Sequence, residues 1–371
     1  MKRTPFYHQI VAAGATMSEV QGWAMPDVFS NARAEHLAVR ERAGLADWSS
    51  TGEIEIQGRD ALALIQRVIV NDASKMPIGR VLYSTVCRDD GSILSDITIY
   101  RLGERRYWMM TAWGSNRANQ FPEFDWLMEH ERDLDVCISD VSSGIALLAV
   151  QGPRARDIVA QVTPADLSTL PYMHFYPAPL ASAPRGIISR TGYTGELGYE
   201  LIVPAEYAHE LWDALMAAGQ KHGMALVGLK AAFGLRLEKG YIMRLDFADG
   251  VTPIEAGLGW TVKFDKGDFI GREAMWRQKQ LGVTRKLVAI AMRDEFVPPM
   301  GSSVVKDGKP IGKVTSSGYG YAIGCPIALA LVAAENATSG VEVAVEADGV
   351  QHPARIAPRP TYDPEGKRLR A

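Results

Sequence analysis

Asp96 is the first residue whose type and position could do chemistry. Ile93-Leu-Ser-Asp-Ile-Thr-Ile-Tyr100 reads as a strand, with Leu94, Asp96, Thr98 and Tyr100 on one face and Ile93, Ser95, Ile97 and Ile99 on the other. Carboxylates are depleted in strands, and one set among aromatic side chains must find hydrogen-bond donors. Such a group could accept from the N–H groups of a ligand. It could equally be an ordinary aspartate on the solvated face of an antiparallel sheet, and residue type alone favours that reading. The second candidate is Ser189-Arg-Thr-Gly192-Tyr193-Thr194-Gly195-Glu196-Leu197-Gly198-Tyr199-Glu200. Its glycines fall as G-x-x-G-x-x-G before a strand, whereas a phosphate-cradling loop has other spacings and opens a helix. What remains is a tight loop that lets backbones approach closely and holds Tyr193 and Glu200, either for a ligand or for structure alone.

The seven histidines are scattered, with no H-E-x-x-H and no His/Cys pair at ligand spacing, so no catalytic metal is expected. Neither G-x-S-x-G nor Q-A-C-x-G occurs, so nothing marks an activated nucleophile. Trp23, Trp48, Trp108, Trp113, Trp126 and Trp260 could stack on a flat heterocycle, although tryptophans more often serve the core.

The elements that must position these residues are of mixed type. Val81–Cys87 and Ile93–Tyr100 form a hairpin around Arg88-Asp-Asp-Gly91, and another strand follows at Tyr107–Thr111. With Asp90-Gly91 as a two-residue loop, Asp96 falls opposite Thr85 and diagonal to Tyr83. Apolar spacing predicts helices over Asp60–Val70 and Pro204–His222, the latter carrying Tyr207, Leu211, Leu215 and Met216 and stopping at Gly223. From about Arg285, short apolar runs alternate with glycine turns, as in a small all-β module, and the polar stretch Arg277–Gly282 marks a boundary before it. Strands and helices without a regular βαβ period give an α+β class.

Composition removes other functions. The 371 residues carry 40 Lys+Arg against 43 Asp+Glu, a net charge of −3, so no basic excess is available for a nucleic acid. No run approaches the roughly 20 apolar residues of a spanning helix, and the N-terminus lacks a signal-peptide core. Cys87, Cys137 and Cys325 lie far apart and suggest no disulfide framework. A cytoplasmic protein is expected, with neither nucleic acid nor membrane as partner.

Several ordered segments resemble the glycine-cleavage T-protein (aminomethyltransferase) family. Thr4-Pro-Phe-Tyr7 and Gly22-Trp-Ala-Met-Pro26 are similar to its opening; Asp47, Gly52-Glu-Ile54 and Asn71–Lys75 follow in order. Tyr83 with Gly91–Asp96, Gln151-Gly-Pro153, Ser189–Glu196, Arg236–Gly240, Thr252–Trp260 and Lys263–Gly271 complete the set. The resemblance implies an α+β three-domain cloverleaf with antiparallel sheets and a C-terminal β-barrel-like module, binding tetrahydrofolate without a metal. On that pattern residues 1–50 and 138–280 form a discontinuous folate-binding domain, 51–137 an antiparallel-sheet domain contributing the folate aspartate, and 281–371 the all-β module. It implies Asp96 and Tyr193 as catalytic, and Asp96, Glu200, Tyr83, Tyr193, Trp113 and Thr111 as folate contacts.

Departures from the family pattern point to a demethylating branch. The stretch usually reading Asp-Val-Ser-His-Met-Gly is Asp47-Trp-Ser-Ser-Thr-Gly52, and Ala231-Ala-Phe233 stands where the family carries an arginine. The usual Val-Asn-Ala after the folate strand is Met110-Thr-Ala-Trp113. Pro360–Arg370 resembles the tail of demethylating relatives. The expected function is therefore transfer of a methyl group from a small methylated substrate, an aromatic methyl ether or a sulfonium compound, to N5 of tetrahydrofolate. Tyr7, His8, His174 and Trp48 would be the substrate contacts. The alternative is the glycine-cleavage aminomethyltransferase, for which the partner would be an aminomethyl-lipoyl carrier protein. A non-catalytic folate-binding regulator of the same fold is disfavoured, because Lys239–Arg244 lacks that group's cysteine.

Overall fold

The computed structural model describes residues 1–114 and 121–371. Its class is α+β, with antiparallel sheets and a closed C-terminal barrel, as the sequence implies. The chain forms two compact units. The first contains residues 1–84, 96–232 and 367–371; the second contains 85–95 and 233–366.

Two large sheets build the first unit, beside the two-stranded pair Thr16–Val20 and Trp23–Val28. One has the strand order Val81–Cys87, Ile93–Gly103, Arg106–Thr111, Gly52–Gln57, Cys137–Asp140, the tip of its first hairpin (85–95) clustering with the second unit. The other runs Phe175–Leu180, Ala183–Ser189, Gly198–Pro204, Ile145–Gln151, Gly44–Asp47, Ala225–Leu226. Both are held together by a buried cluster in which Val81, Tyr100, Trp108 and Met110 of the first sheet meet Leu147, Phe175 and Ile202 of the second. The opposite face of the six-stranded sheet is covered by Leu211, Trp212 and Leu215 of helix Ala208–Gln220 and by Ile158 and Val159 of helix Ala155–Val159. Burying such side chains contributes roughly 1.5–3 kcal/mol each.

In the second unit the barrel closes as Arg285–Met292, Cys325–Ala333, Lys309–Gly320, Ser303–Lys306, Glu342–Ala347, Val350–Ala357. Alternate residues Val288, Ile290 and Met292, with Val304, Val314, Ala330, Val345 and Ile356, fill its interior. That is the period of two expected for strands with one buried face.

Local departures from the sequence reading have simple causes. The hairpin loop has three residues, not two: the Arg88 N–H donates to the Ser92 carbonyl at 2.9 Å, the Gly91 N–H donates to the Arg88 carbonyl at 2.9 Å, and Gly91 takes φ +82°. Arg277–Gly282, read as a boundary, is the end of helix Arg272–Leu281 with its C-cap Gly282; its polarity is that of a solvated helix face. The first predicted helix is Ala61–Val68, and Asp60 before it uses its carboxylate to accept the Asp135 N–H at 2.9 Å instead of capping. In Ala208–Gln220, Met216 is exposed, off the buried stripe.

Candidate functional site

Strand register decides which side chains can act together. Thr98 pairs with Met110 and Tyr100 with Trp108, while Met110 pairs with Glu53 and Trp108 with Glu55. Directly paired residues share a face, so Asp96, Tyr100, Met110 and Glu53 lie on one side of the five-stranded sheet. Asp96 is half-buried, and the Tyr83 hydroxyl donates to its Oδ2 at 3.0 Å. Thr111 pairs with Ile97 and Gly52 and so belongs to the other face, where its hydroxyl donates to the Trp113 carbonyl at 2.9 Å. Its side chain is not brought to the face of Asp96.

Four positions along the strand from Asp96, the Tyr100 ring is buried between the sheets and its hydroxyl reaches the second carboxyl. Tyr100 Oη lies 3.4 Å from Glu200 Oε2, 3.0 Å from Ser189 Oγ and 3.3 Å from Thr191 Oγ1. The Thr191 hydroxyl also donates a short hydrogen bond to Glu200 Oε2. Solvent reaches part of Glu200, but its carboxyl is enclosed, and this burial raises its pKa against the opposing pull of Thr191 and Tyr100. Burial, with the neighbouring Glu200 charge, also holds the Tyr100 phenol above its ordinary range. One tyrosine thus links the strand of Asp96 to the strand of Glu200.

A third carboxyl shares this setting. Glu53 is 1% exposed, accepts from the Thr51 hydroxyl at 2.8 Å, and has a pKa pushed up to about 8. Desolvation is the main cause, and the charges of Asp140 and Glu200 add to it. A carboxyl with that pKa is mostly protonated at pH 7, hence a potential donor. Nearby in sequence, Asp47 is also raised by burial, although the Thr4 hydroxyl at 2.5 Å and the Ser49 N–H at 2.9 Å counter it.

The glycines of the 189–200 segment make room for a side chain rather than for a phosphate. A Cβ at Gly192 would fall 2.0 Å from Gln151 Oε1, and one at Gly198 would fall 2.3 Å from Gln151 Nε2. In that slot Gln151 donates to the Thr191 carbonyl at 3.2 Å and accepts from the Thr194 hydroxyl at 2.9 Å. Gly198→Ala is therefore expected to displace a 2%-exposed amide and unsatisfy it. The expected cost is roughly 1–3 kcal/mol, read as a fall in the urea midpoint at unchanged m.

The remaining candidates are dispersed. Tyr193 and Trp113 are half-buried, Tyr193 in the loop just described. Tyr7 opens helix Tyr7–Ala12 and lies under the Arg3 guanidinium at 4.4 Å, edge-on to the exposed His8. His174 Nδ1 sits 3.2 Å from Arg80 Nη1 and 3.1 Å from the Tyr172 carbonyl oxygen, a local tie. Trp48 packs on the inter-sheet cluster, with its indole N–H buried and unpartnered among the described residues. Sequence reasoning assigned no role to Glu53, Tyr100, Thr191 or Gln151. The early signals were that Glu53, Gln151 and Thr191 lie in segments resembling the family and that Tyr100 shares the face of Asp96.

The GCVT N-terminal domain matches residues 6–266, and the glycine cleavage T-protein C-terminal barrel domain matches residues 285–363. The chain belongs to the glycine-cleavage T-protein family. Its relatives include the aminomethyltransferase of Moorella thermoacetica, 40% identical across 98% of both chains. That of Symbiobacterium thermophilum is 42% identical across 98% of this chain and 97% of its own. Among solved structures, the glycine cleavage system aminomethyltransferase T from Bartonella henselae superposes with a TM-score of 0.89 at 29% identity, covering 98% of both chains. As a T-protein family member the chain is a one-carbon transferase. The expectation of a demethylase acting on a small methyl ether or sulfonium compound is overturned by these relatives, which match end to end and are aminomethyltransferases. One of the departures that suggested it, Ala232 standing where the T-protein pattern has an arginine, is buried in helix Leu229–Lys239.

Proposed function

We propose that this protein is a glycine-cleavage-type aminomethyltransferase, taking the one-carbon unit of an aminomethyl group on a lipoyl carrier protein and delivering it to tetrahydrofolate. The observation that carries the reading is the pair of carboxyls, Asp96 and Glu200, each held by a tyrosine hydroxyl and linked through the Asp96–Tyr100 strand. A reduced pterin presents N–H donors, and these carboxyls are the complementary acceptors, so the donor set fits the coenzyme. When bound, tetrahydrofolate supplies the N5 and N10 nucleophiles for the carbon, whose bonds to sulfur and nitrogen break to leave a thiol and ammonia. Asp96 accepts from the coenzyme and fixes its reacting face; Glu200 holds the pteridine edge. Tyr83, Tyr193 and Trp113 wall the site and exclude water, which strengthens each of these hydrogen bonds. Glu53, protonated near neutrality, holds a proton beside Glu200 without adding a further negative charge.

Aminomethyl-loaded lipoyl carrier and tetrahydrofolate should together yield ammonia and 5,10-methylene-tetrahydrofolate, with neither formed when the carrier is omitted. Formation of no product from the loaded carrier would sink the reading. Within it, Tyr83→Phe removes the hydroxyl that fixes Asp96 and should lower kcat/KM about 5- to 50-fold, the equivalent of about 1–2.5 kcal/mol. Steady-state kinetics at saturating carrier measures this directly.

A further inference from the structure

Residues Lys367–Ala371 lie beyond both family-domain matches, yet they pack into the first unit around the Arg190–Leu197 loop. Arg368 Nε donates to Glu196 Oε2 at 3.1 Å, and its Nη2 donates to the Arg40 carbonyl. On the other side of the same carboxylate, Arg40 Nη1 donates to Glu196 Oε1 at 3.2 Å and to the Thr194 carbonyl at 2.8 Å. At the loop's opposite end the Ala371 carbonyl accepts from Arg190 Nη2 at 2.6 Å and from Arg156 Nη2 at 2.9 Å. Arg156 Nε in turn donates to the Tyr199 hydroxyl at 3.1 Å, and Leu369 between the two anchor points is 8% exposed. The short stretch therefore grips both ends of the loop that carries Thr191, the donor to Glu200, and Tyr193.

We propose that residues 367–371 are a positioning strap for the coenzyme site: through Arg368 on Glu196 and Ala371 on Arg190 they set the loop so that Thr191 holds Glu200 and Tyr193 meets the pterin. This rests on the folate reading above. The strap touches no reacting atom, so it acts on coenzyme binding rather than on bond making. Glu196 has a 1%-exposed side chain, and both Arg40 and Arg368 pair with it. Removing Arg368 alone leaves the buried Arg40 in place, so the fold stands while one end of the loop is released.

The test is Arg368→Ala, with Arg368→Lys and a chain ending at Gly366 alongside, in the full protein. Hydrogen–deuterium exchange over residues 190–197, tetrahydrofolate affinity from tryptophan fluorescence, and steady-state kinetics are the readouts. Arg368→Ala should speed loop exchange at least tenfold and weaken coenzyme binding about tenfold. KM for tetrahydrofolate should rise in parallel, with kcat and the KM for the carrier within twofold. Lysine should restore part of the affinity, and the truncated chain should lose more than Arg368→Ala. Unchanged loop exchange overturns the strap whatever the coenzyme does. Faster exchange with wild-type affinity overturns its positioning role. A loss of kcat with no change in KM does the same. A wild-type protein that does not bind tetrahydrofolate overturns the folate reading instead, recognisable because all variants then fail alike.

Discussion

Asp96→Asn is expected to lower kcat about a thousandfold or more while the protein unfolds at nearly the wild-type temperature. The substitution keeps the shape of the side chain, and its carbonyl can still accept from Tyr83 in place of Oδ2. Asp96 is half-buried, so solvent meets part of the change in charge while the shape of the side chain is kept. Stability should therefore change by less than about 1 kcal/mol. On the proposed function the catalytic loss is of another order, because Asp96 would then face nitrogen atoms that gain positive charge during transfer, in a site that the bound coenzyme shields from water. Removing one such group costs about 3–4 kcal/mol, two to three powers of ten, and losing the fixed orientation of the coenzyme adds to this. Asp96→Ala should be at least as severe. Turnover of the asparagine variant within tenfold of wild type, measured with loaded carrier at saturating tetrahydrofolate, would remove Asp96 from the reaction.

Features with a local cause were readable from sequence. The hairpin carrying Asp96, the two apolar-striped helices and the barrel each declare themselves through a period of two or of 3.6, and the face of Asp96 follows from alternation alone. The hairpin loop was misjudged by one residue because Asp89-Asp90-Gly91 supports either turn; a two-residue type I′ loop needs positive φ at Asp90 as well as at Gly91, and only Gly91 takes it. What alternation cannot show is which polar face is covered. Glu53 and Glu55 alternate with Ile54 and Ile56 as on any solvated strand, yet Glu53 is buried. Its burial is decided by chain far away in sequence, including Asp140, Ser142 and Glu200. Gln151 between Gly192 and Gly198, and Glu196 between Arg40 and Arg368, are likewise long-range pairings with no spacing signature. The demethylase expectation failed for a related reason. It weighed a few local departures, Ala232 among them, above a resemblance to aminomethyltransferases that runs from end to end.

Glu53 gives the largest expected effect on stability, and its sign is opposite to that of a salt-bridged carboxylate. Its pKa is about 8 in the folded protein against 4.5 in an unfolded chain. Between those values the native state keeps the proton that the unfolded state has lost, so stability falls as pH rises, by about 1.4 kcal/mol per unit. Across the full window this amounts to about 4–5 kcal/mol; it is complete above pH 8 and absent below pH 4.5. Glu200 and Asp47, both raised by burial, slope the same way and steepen the fall. Glu53→Gln keeps an acceptor for the Thr51 hydroxyl but cannot ionise, so between pH 6 and 8.5 its denaturation midpoint should fall less than that of the wild type, keeping only the slope that Glu200 and Asp47 give it. The variant should consequently be the more stable protein at pH 8.5 and close to wild type at pH 5.5. Parallel declines in urea melts of the two proteins would mean that Glu53 ionises as an ordinary carboxyl. Activity separates the two consequences of the same burial. If the Glu53 proton serves only to spare Glu200 a neighbouring charge, the glutamine variant should keep its turnover at pH 7 and lose less of it above pH 8, where the wild-type site acquires a second negative charge beside Glu200.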